Sequence, residues 1–242
     1  MPSYSWRFEE AVKEYWRVRT AQKQKQTEAG RSDAGSRGAV TGGAQMGRMA
    51  DLVAEIFVEE GFPESSIHRA TSLELPGYYR PERKWDLLVI HEDTVAAAIE
   101  FKSQVGPSFG NNFNNRISEA VGDAQDLWTA YREDRLGDIR PWLGYLFLLE
   151  DAPASSRPVK IREPFFEVDP VFPGTSYKKR YEIFCRRLVR ERLYDAACFV
   201  TSSEDPRTPI DEPANDLSFA RFAGEIRGRA RMLLEVEGSR SE

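Results

Sequence analysis

Three charged side chains, Asp86, Glu100 and Lys102, stand where a buried strand should carry none, in the run WDLLVIHEDTVAAAIEFK. Apolar segments at residues 85–90 and 94–101 flank the polar turn His91-Glu92-Asp93, the pattern of a strand, a turn and a strand. Alternation along the second strand sets Val95, Ala97, Ile99 and Phe101 on one face and Ala96, Ala98, Glu100 and Lys102 on the other. Antiparallel pairing would bring Asp86 opposite Glu100 and Lys102, so that two carboxylates and an ammonium converge at one end of a hairpin. Such a cluster is costly in a core unless its members pair or bind a cation. One reading is a structural salt bridge from Lys102 to either acid. The other is chemical: Asp and Glu are hard oxygen ligands for Mg²⁺, which needs only one or two carboxylates and keeps several waters. Lys102 would then orient an attacking water and stabilise charge building on a phosphate. On that second reading the reaction would be metal-assisted hydrolysis of a phosphodiester.

The elements that must position this cluster are legible on either side. Phe8, Ala11, Val12, Tyr15, Trp16 and Val18 recur at helical spacing, which predicts an N-terminal helix within residues 1–20. Residues 21–47, rich in Gly, Ala, Gln, Lys and Arg, bury too little to offset ordering and read as a flexible basic arm. Met49, Leu52, Val53, Ile56 and Phe57 mark a helix that Gly61 can end. Its Glu55, Glu59 and Glu60 form a solvated face from which one acid could reach the cluster. Residues 65–75 are a weak strand candidate before the turn Pro76-Gly77, and Arg80, Arg83 and Lys84 could meet phosphates or be a solvated strand end. After Lys102 a Gly/Asn-rich loop carries Asn111, Asn112, Asn114, Asn115 and Arg116, side chains able to pair with adenine and guanine edges or to hold phosphates; Asn115 could instead cap the next helix. That helix shows the stripe Ile117, Ala120, Val121, Ala124, Leu127, Trp128 and Tyr131. Residues 142–149 read as a strand covered on both faces, 151–174 as a loop, and Tyr177, Tyr181, Phe184 and Leu188 as a helix with Glu182 and Arg186 at favourable spacing. A strand over 196–201 and a last helix over 215–237, capped by Asn215 or Asp216, complete the order. The catalytic core spans 48–201 within a single domain of 1–242, an α/β fold with a mixed central β-sheet flanked by helices.

Composition adds limits. The chain has 242 residues, two cysteines, two histidines and a formal charge of −5. Cys185 and Cys198 lack metal-ligand spacing and read as buried thiols, and His68 and His91 are too few for a zinc site. No secretory signal or bilayer-length apolar stretch is visible, which points to a cytoplasmic protein with no membrane partner. The net charge hides an asymmetry: residues 1–50 hold nine Lys/Arg against five Asp/Glu, and residues 176–192 seven against two. A basic surface facing DNA is compatible with that distribution. Arg31, Arg37, Lys178, Lys179 and Arg180 are its candidate phosphate contacts.

The block from Trp85-Asp86 to Glu100-Phe101-Lys102 resembles the PD-(D/E)XK nuclease core, with Trp85 where the generic motif has proline. The longer run AAIEFKSQVGPSFGNNFNNR, with VTGG at 40–43 and the Asp126-Leu127-Trp128 helix, is similar to the XhoI family of type II restriction endonucleases. The resemblance implies a restriction-endonuclease-like core, Mg²⁺ as cofactor, Asp86 and Glu100 as metal ligands, and Lys102 positioning the water. It further implies a homodimer cleaving both strands of a palindromic double-stranded DNA site, CTCGAG. The alternatives are a repair- or structure-directed nuclease on the same core, or a non-catalytic DNA-binding module whose Glu-x-Lys is a structural ion pair.

Overall fold

The computed structural model describes residues 4–28, 43–91, 93–163 and 165–238. Helix α1 spans Tyr4–Glu28 and α2 spans Gly47–Glu59; short strands β1 (Ile67–His68), β2 (Glu74–Pro76) and β3 (Glu82–Lys84) follow. Then come β4 (Leu87–His91), β5 (Thr94–Gln104), α3 (Phe109–Arg132), β6 (Trp142–Glu150), α4 (Tyr177–Arg190), β7 (Ala196–Ser202) and α5 (Phe219–Gly238). Five strands form one mixed sheet in the order β1-β4-β5-β6-β7, and β2 and β3 pair separately as a hairpin. β4 runs antiparallel to β1 and β5, whereas β5, β6 and β7 are parallel. The expected mixed sheet flanked by helices is what the chain builds.

The near-continuous apolar run of β6 follows from its place between β5 and β7: both faces are covered, and every residue from Trp142 through Leu149 is buried. On one face Ala97, Ile99, Phe101, Leu146 and Leu148 pack against Phe8, Tyr15, Phe57, Phe222 and Ile226 of α1, α2 and α5. On the other, Ala98, Tyr145, Phe147 and Phe199 meet Phe113, Leu127 and Trp128 of α3 and Tyr181 and Leu188 of α4. The acid and amine of β5 lie on this second face.

Several boundaries differ from the expectation for identifiable reasons. α1 runs on to Glu28, because Ala, Gln, Lys and Glu are good helix formers even where little is buried. Gly43–Met46 forms a turn of 3₁₀-helix entering α2, so only the middle of the expected arm, with Arg31, Arg37 and the start of VTGG, lies outside the described residues. The weak strand at 65–75 is two short strands, Ile67–His68 and Glu74–Pro76, in different sheets. The pairing of β4 with β5 shifts between Val89↔Ala97 and Ile90↔Val95, leaving Ala96 as an extra residue. That bulge reverses the alternation, so Val95 joins Ala98 on the second face instead of Ala97 on the first. In α3, Val121 is 39% exposed and falls outside the buried stripe. Asn215 and Asp216 form a 3₁₀ turn; Ser218 precedes α5 and its Oγ accepts from Arg221 N–H.

Candidate active site

β4 and β5 bring the three expected residues together. Leu87 pairs with Ile99, which sets Asp86, one residue before β4, opposite Glu100. Asp86 Oδ2 accepts a hydrogen bond from the Phe101 backbone N–H at 2.8 Å, fixing the carboxylate at the strand end. Glu100 is only 1% exposed, and its Oε1 pairs with Lys102 Nζ from the same face of β5. The small Ala98 leaves room beside them.

A fourth charged group completes the cluster. Arg83 of β3 turns inward, and one guanidinium nitrogen donates to Glu100 Oε1 at 2.9 Å and to Asp123 Oδ2 at 2.8 Å. Its guanidinium also lies 5.2 Å from the centroid of the Trp85 ring. Asp123 in turn pairs with Arg80, at 3.2 Å, and Arg80 pairs with Asp126 at 2.8 Å. Arg83 is therefore neither a solvated strand end nor an open phosphate contact, and Arg80, its side chain still 41% exposed, is anchored by the same buried acids of α3. Sequence reasoning missed Asp123 and Asp126, although a signal existed. Both fall among Ala120, Ala124 and Leu127, where a carboxylate must find an internal cation.

Burial and neighbours set the electrostatics. Burial foremost, with help from the adjacent Asp86, pushes the Glu100 carboxyl up to about 7 despite Lys102 and Arg83. Burial opposes the Arg83 cation, yet Asp123 and Glu100 hold its pKa above the usual arginine range. Glu100 Oε2 is buried with no hydrogen-bond partner. An orphaned carboxylate oxygen in a dry site next to a second carboxylate is the donor set a hard divalent cation takes. Among the described residues no group of three or more His, Cys, Asp or Glu is arranged to hold a metal.

The Gly/Asn-rich stretch is not a loop. α3 begins at Phe109, so Asn111, Asn112, Asn114, Asn115 and Arg116 belong to its first two turns, and Asn115 caps nothing. Asn111, Asn114 and Asn115 are exposed at helical spacing, while Asn112 and Arg116 are half-buried and Arg116 pairs with Glu119 at 2.5 Å. Buried Gln104 ties this helix start to β5: its Nε2 donates to the Phe109 carbonyl at 2.9 Å, and its Oε1 accepts from Tyr181. α4 packs alongside, Tyr177 stacking on Phe109 with centroids 6.1 Å apart. The α4 cations are engaged within the protein. Lys178 pairs with Asp211 at 2.7 Å, Lys179 with Glu182 at 2.7 Å, and Arg180 donates to Thr175 Oγ1 and the Val159 carbonyl. Glu55, Glu59 and Glu60 lie away from the cluster: Glu55 and Glu59 pair with Arg7, and Glu60 with Arg227 and Arg231. Cys185 and Cys198 are buried and free, and His91 Nδ1 sits 3.1 Å from Ser66 Oγ. No helix among the described residues is long and apolar enough to cross a membrane.

Comparison with known proteins matches residues 25–210 to the family described as restriction endonuclease XhoI. The type II restriction enzyme BstVI of Geobacillus stearothermophilus is 47% identical over 203 residues, 81% of this chain and 91% of that enzyme. The type II restriction enzyme XhoI of Xanthomonas vasicola is 45% identical over 74% of this chain and 72% of its own length. AbrI of Azospirillum brasilense, also a type II restriction enzyme, is 46% identical over 69% of this chain and 75% of its own. No solved structure matches the chain.

Proposed function

Since the chain belongs to the XhoI family of type II restriction endonucleases, we infer that it hydrolyses double-stranded DNA at a palindrome with Mg²⁺ bound at Asp86 and Glu100. The observation that carries this reading is the unpaired, buried Glu100 Oε2 beside Asp86 and Lys102. Bound there, Mg²⁺ would supply Lewis-acid stabilisation of the phosphate and a nucleophilic water. The chain's own residues do the rest. The Phe101 N–H orients Asp86, Arg83 and Lys102 share Glu100 Oε1 and so leave Oε2 without a protein partner, and Lys102 is placed to hold the attacking water. The exposed amides of Asn111, Asn114 and Asn115, with Asn112 and Arg116 behind them, are proposed to read bases or hold phosphates. Lys178, Lys179, Arg180, Arg31 and Arg37 are the weaker phosphate candidates.

The resemblance of residues 97–116 to that family supports CTCGAG as the site and a homodimer as the working form, one cluster facing each strand of the palindrome. The Glu100–Lys102 ion pair by itself would also suit the non-catalytic reading; the orphaned Glu100 Oε2 and the curated relatives, all type II restriction enzymes, favour the nuclease. Digestion of a mapped plasmid is the test. Discrete fragments ending at CTCGAG with Mg²⁺, and intact plasmid with EDTA, are expected. A smear, or equal cutting of site-free DNA, would count against the assignment.

A further inference from the structure

The tip of the β2–β3 hairpin is held more firmly than an exposed turn needs. Tyr78 and Tyr79 are 48% and 68% exposed, with their rings edge to face at 5.0 Å. Beneath them Asp126 Oδ1 accepts from both of their backbone N–H groups at 2.8 Å. Arg80, the next residue, pairs with Asp126 and Asp123. A Cβ on Gly77 would lie 2.6 Å from the Arg80 carbonyl and 2.8 Å from Asp126 Oδ2, so the backbone here closes directly on the carboxylate. Asp123 and Asp126 are 6% and 1% exposed. Desolvating two carboxylates costs several kcal/mol each by rough estimate, and what they secure here is the position of two rings that bury little themselves. Asp123 also accepts from Arg83, which reaches Glu100. The tip and the candidate metal ligand are thus the two ends of one ionic chain.

We propose that Tyr78 and Tyr79 are a preformed contact to the DNA duplex, set against the sugar–phosphate backbone near the phosphodiester at Asp86, Glu100 and Lys102. This rests on the nuclease reading of that cluster. Continuity with the cluster argues for a duplex over a protein partner, and so do the flanking cations Arg80, whose side chain is 41% exposed, and the exposed Lys84. A phenol hydroxyl donates to a phosphate oxygen and its ring packs on a sugar. Because Asp126 and Arg80 already fix the tip, binding does not bear the cost of ordering it.

The test compares the unaltered chain with Tyr78→Ala/Tyr79→Ala, Tyr78→Phe/Tyr79→Phe and a Trp6→Ala control, an exposed aromatic on α1. The readouts are anisotropy of a labelled duplex that the unaltered protein cuts, kcat and KM with Mg²⁺, self-association, and thermal melting. The double alanine variant is expected to lose about tenfold or more in DNA affinity and to raise KM with kcat little changed. Its melting temperature should stay unchanged, the phenylalanine variant should lose less, and the control nothing. If the double variant folds poorly, Tyr79→Ala alone, at the more exposed position, serves the same comparison. Unchanged affinity and KM overturn the proposal, as does weakened self-association with unchanged DNA binding. Failure of the unaltered protein to bind or cut any duplex overturns the nuclease reading itself; if it cuts and the tip variants cut equally well, the tip assignment alone falls.

Discussion

At the scale of single residues, the decisive feature is how the oxygens of Glu100 are divided. Oε1 takes both cations, Lys102 and Arg83, and Oε2 has none. Replacing Lys102 by Ala, Asp86 by Asn or Glu100 by Gln should each lower cleavage roughly a hundredfold or more, with the fold retained by circular dichroism. The raised Glu100 pKa gives a second, signed prediction for metal-free protein. In the native state burial holds the carboxyl at about 7, whereas in the unfolded chain it titrates near the ordinary glutamate value of 4.5. Between those values the native state holds the extra proton, so this group's stabilising contribution, complete below the lower value, is lost as pH rises to the higher one. Glu100→Gln, which cannot ionise, should therefore melt no lower than the unaltered protein at about pH 8, and its relative stability should improve from about pH 5 to pH 8. A purely structural ion pair predicts the opposite, a lower melting temperature in the variant. Melting curves at the two pH values decide between them.

At the scale of elements, the site is a product of three joints. The β4–β5 pairing sets Asp86 against Glu100, Gln104 moors the start of α3 to the end of β5, and the acids of α3 pin the β2–β3 hairpin. The bulge at Ala96 lies on the turn side of this cluster and leaves the alternation from Ala98 to Gln104 intact, so the expected sharing of a face by Glu100 and Lys102 survives even though Val95 changes sides. The third joint is the costliest to break. Asp126→Ala removes the acceptor of two backbone N–H groups and strips Arg80 of a buried partner. It should destabilise the protein by about 1–3 kcal/mol, read from urea unfolding. Asp126→Asn, which keeps an acceptor, should recover part of that loss.

Considered as a whole molecule, the described residues carry one candidate cluster, whereas cutting a palindrome symmetrically takes two. In the homodimer we propose, a mixed dimer of one unaltered and one Glu100→Gln chain should nick supercoiled plasmid without linearising it, and the unaltered dimer should linearise it; agarose gels separate the products. The sequence by itself determined strands β4 to β7, most of the helical stripes and the acids and amine of the β4–β5 hairpin. Those follow from local periodicity and from a charge pattern that an ordinary core strand does not tolerate. Tertiary structure alone decided that Arg83 and Arg80 turn inward onto Asp123 and Asp126, that the asparagines ride on a helix, and that Lys178 and Lys179 are already paired. Each of those outcomes depends on which distant side chain comes to lie opposite. A buried charge takes whatever partner the packing brings within about 3 Å, and linear order does not encode that encounter.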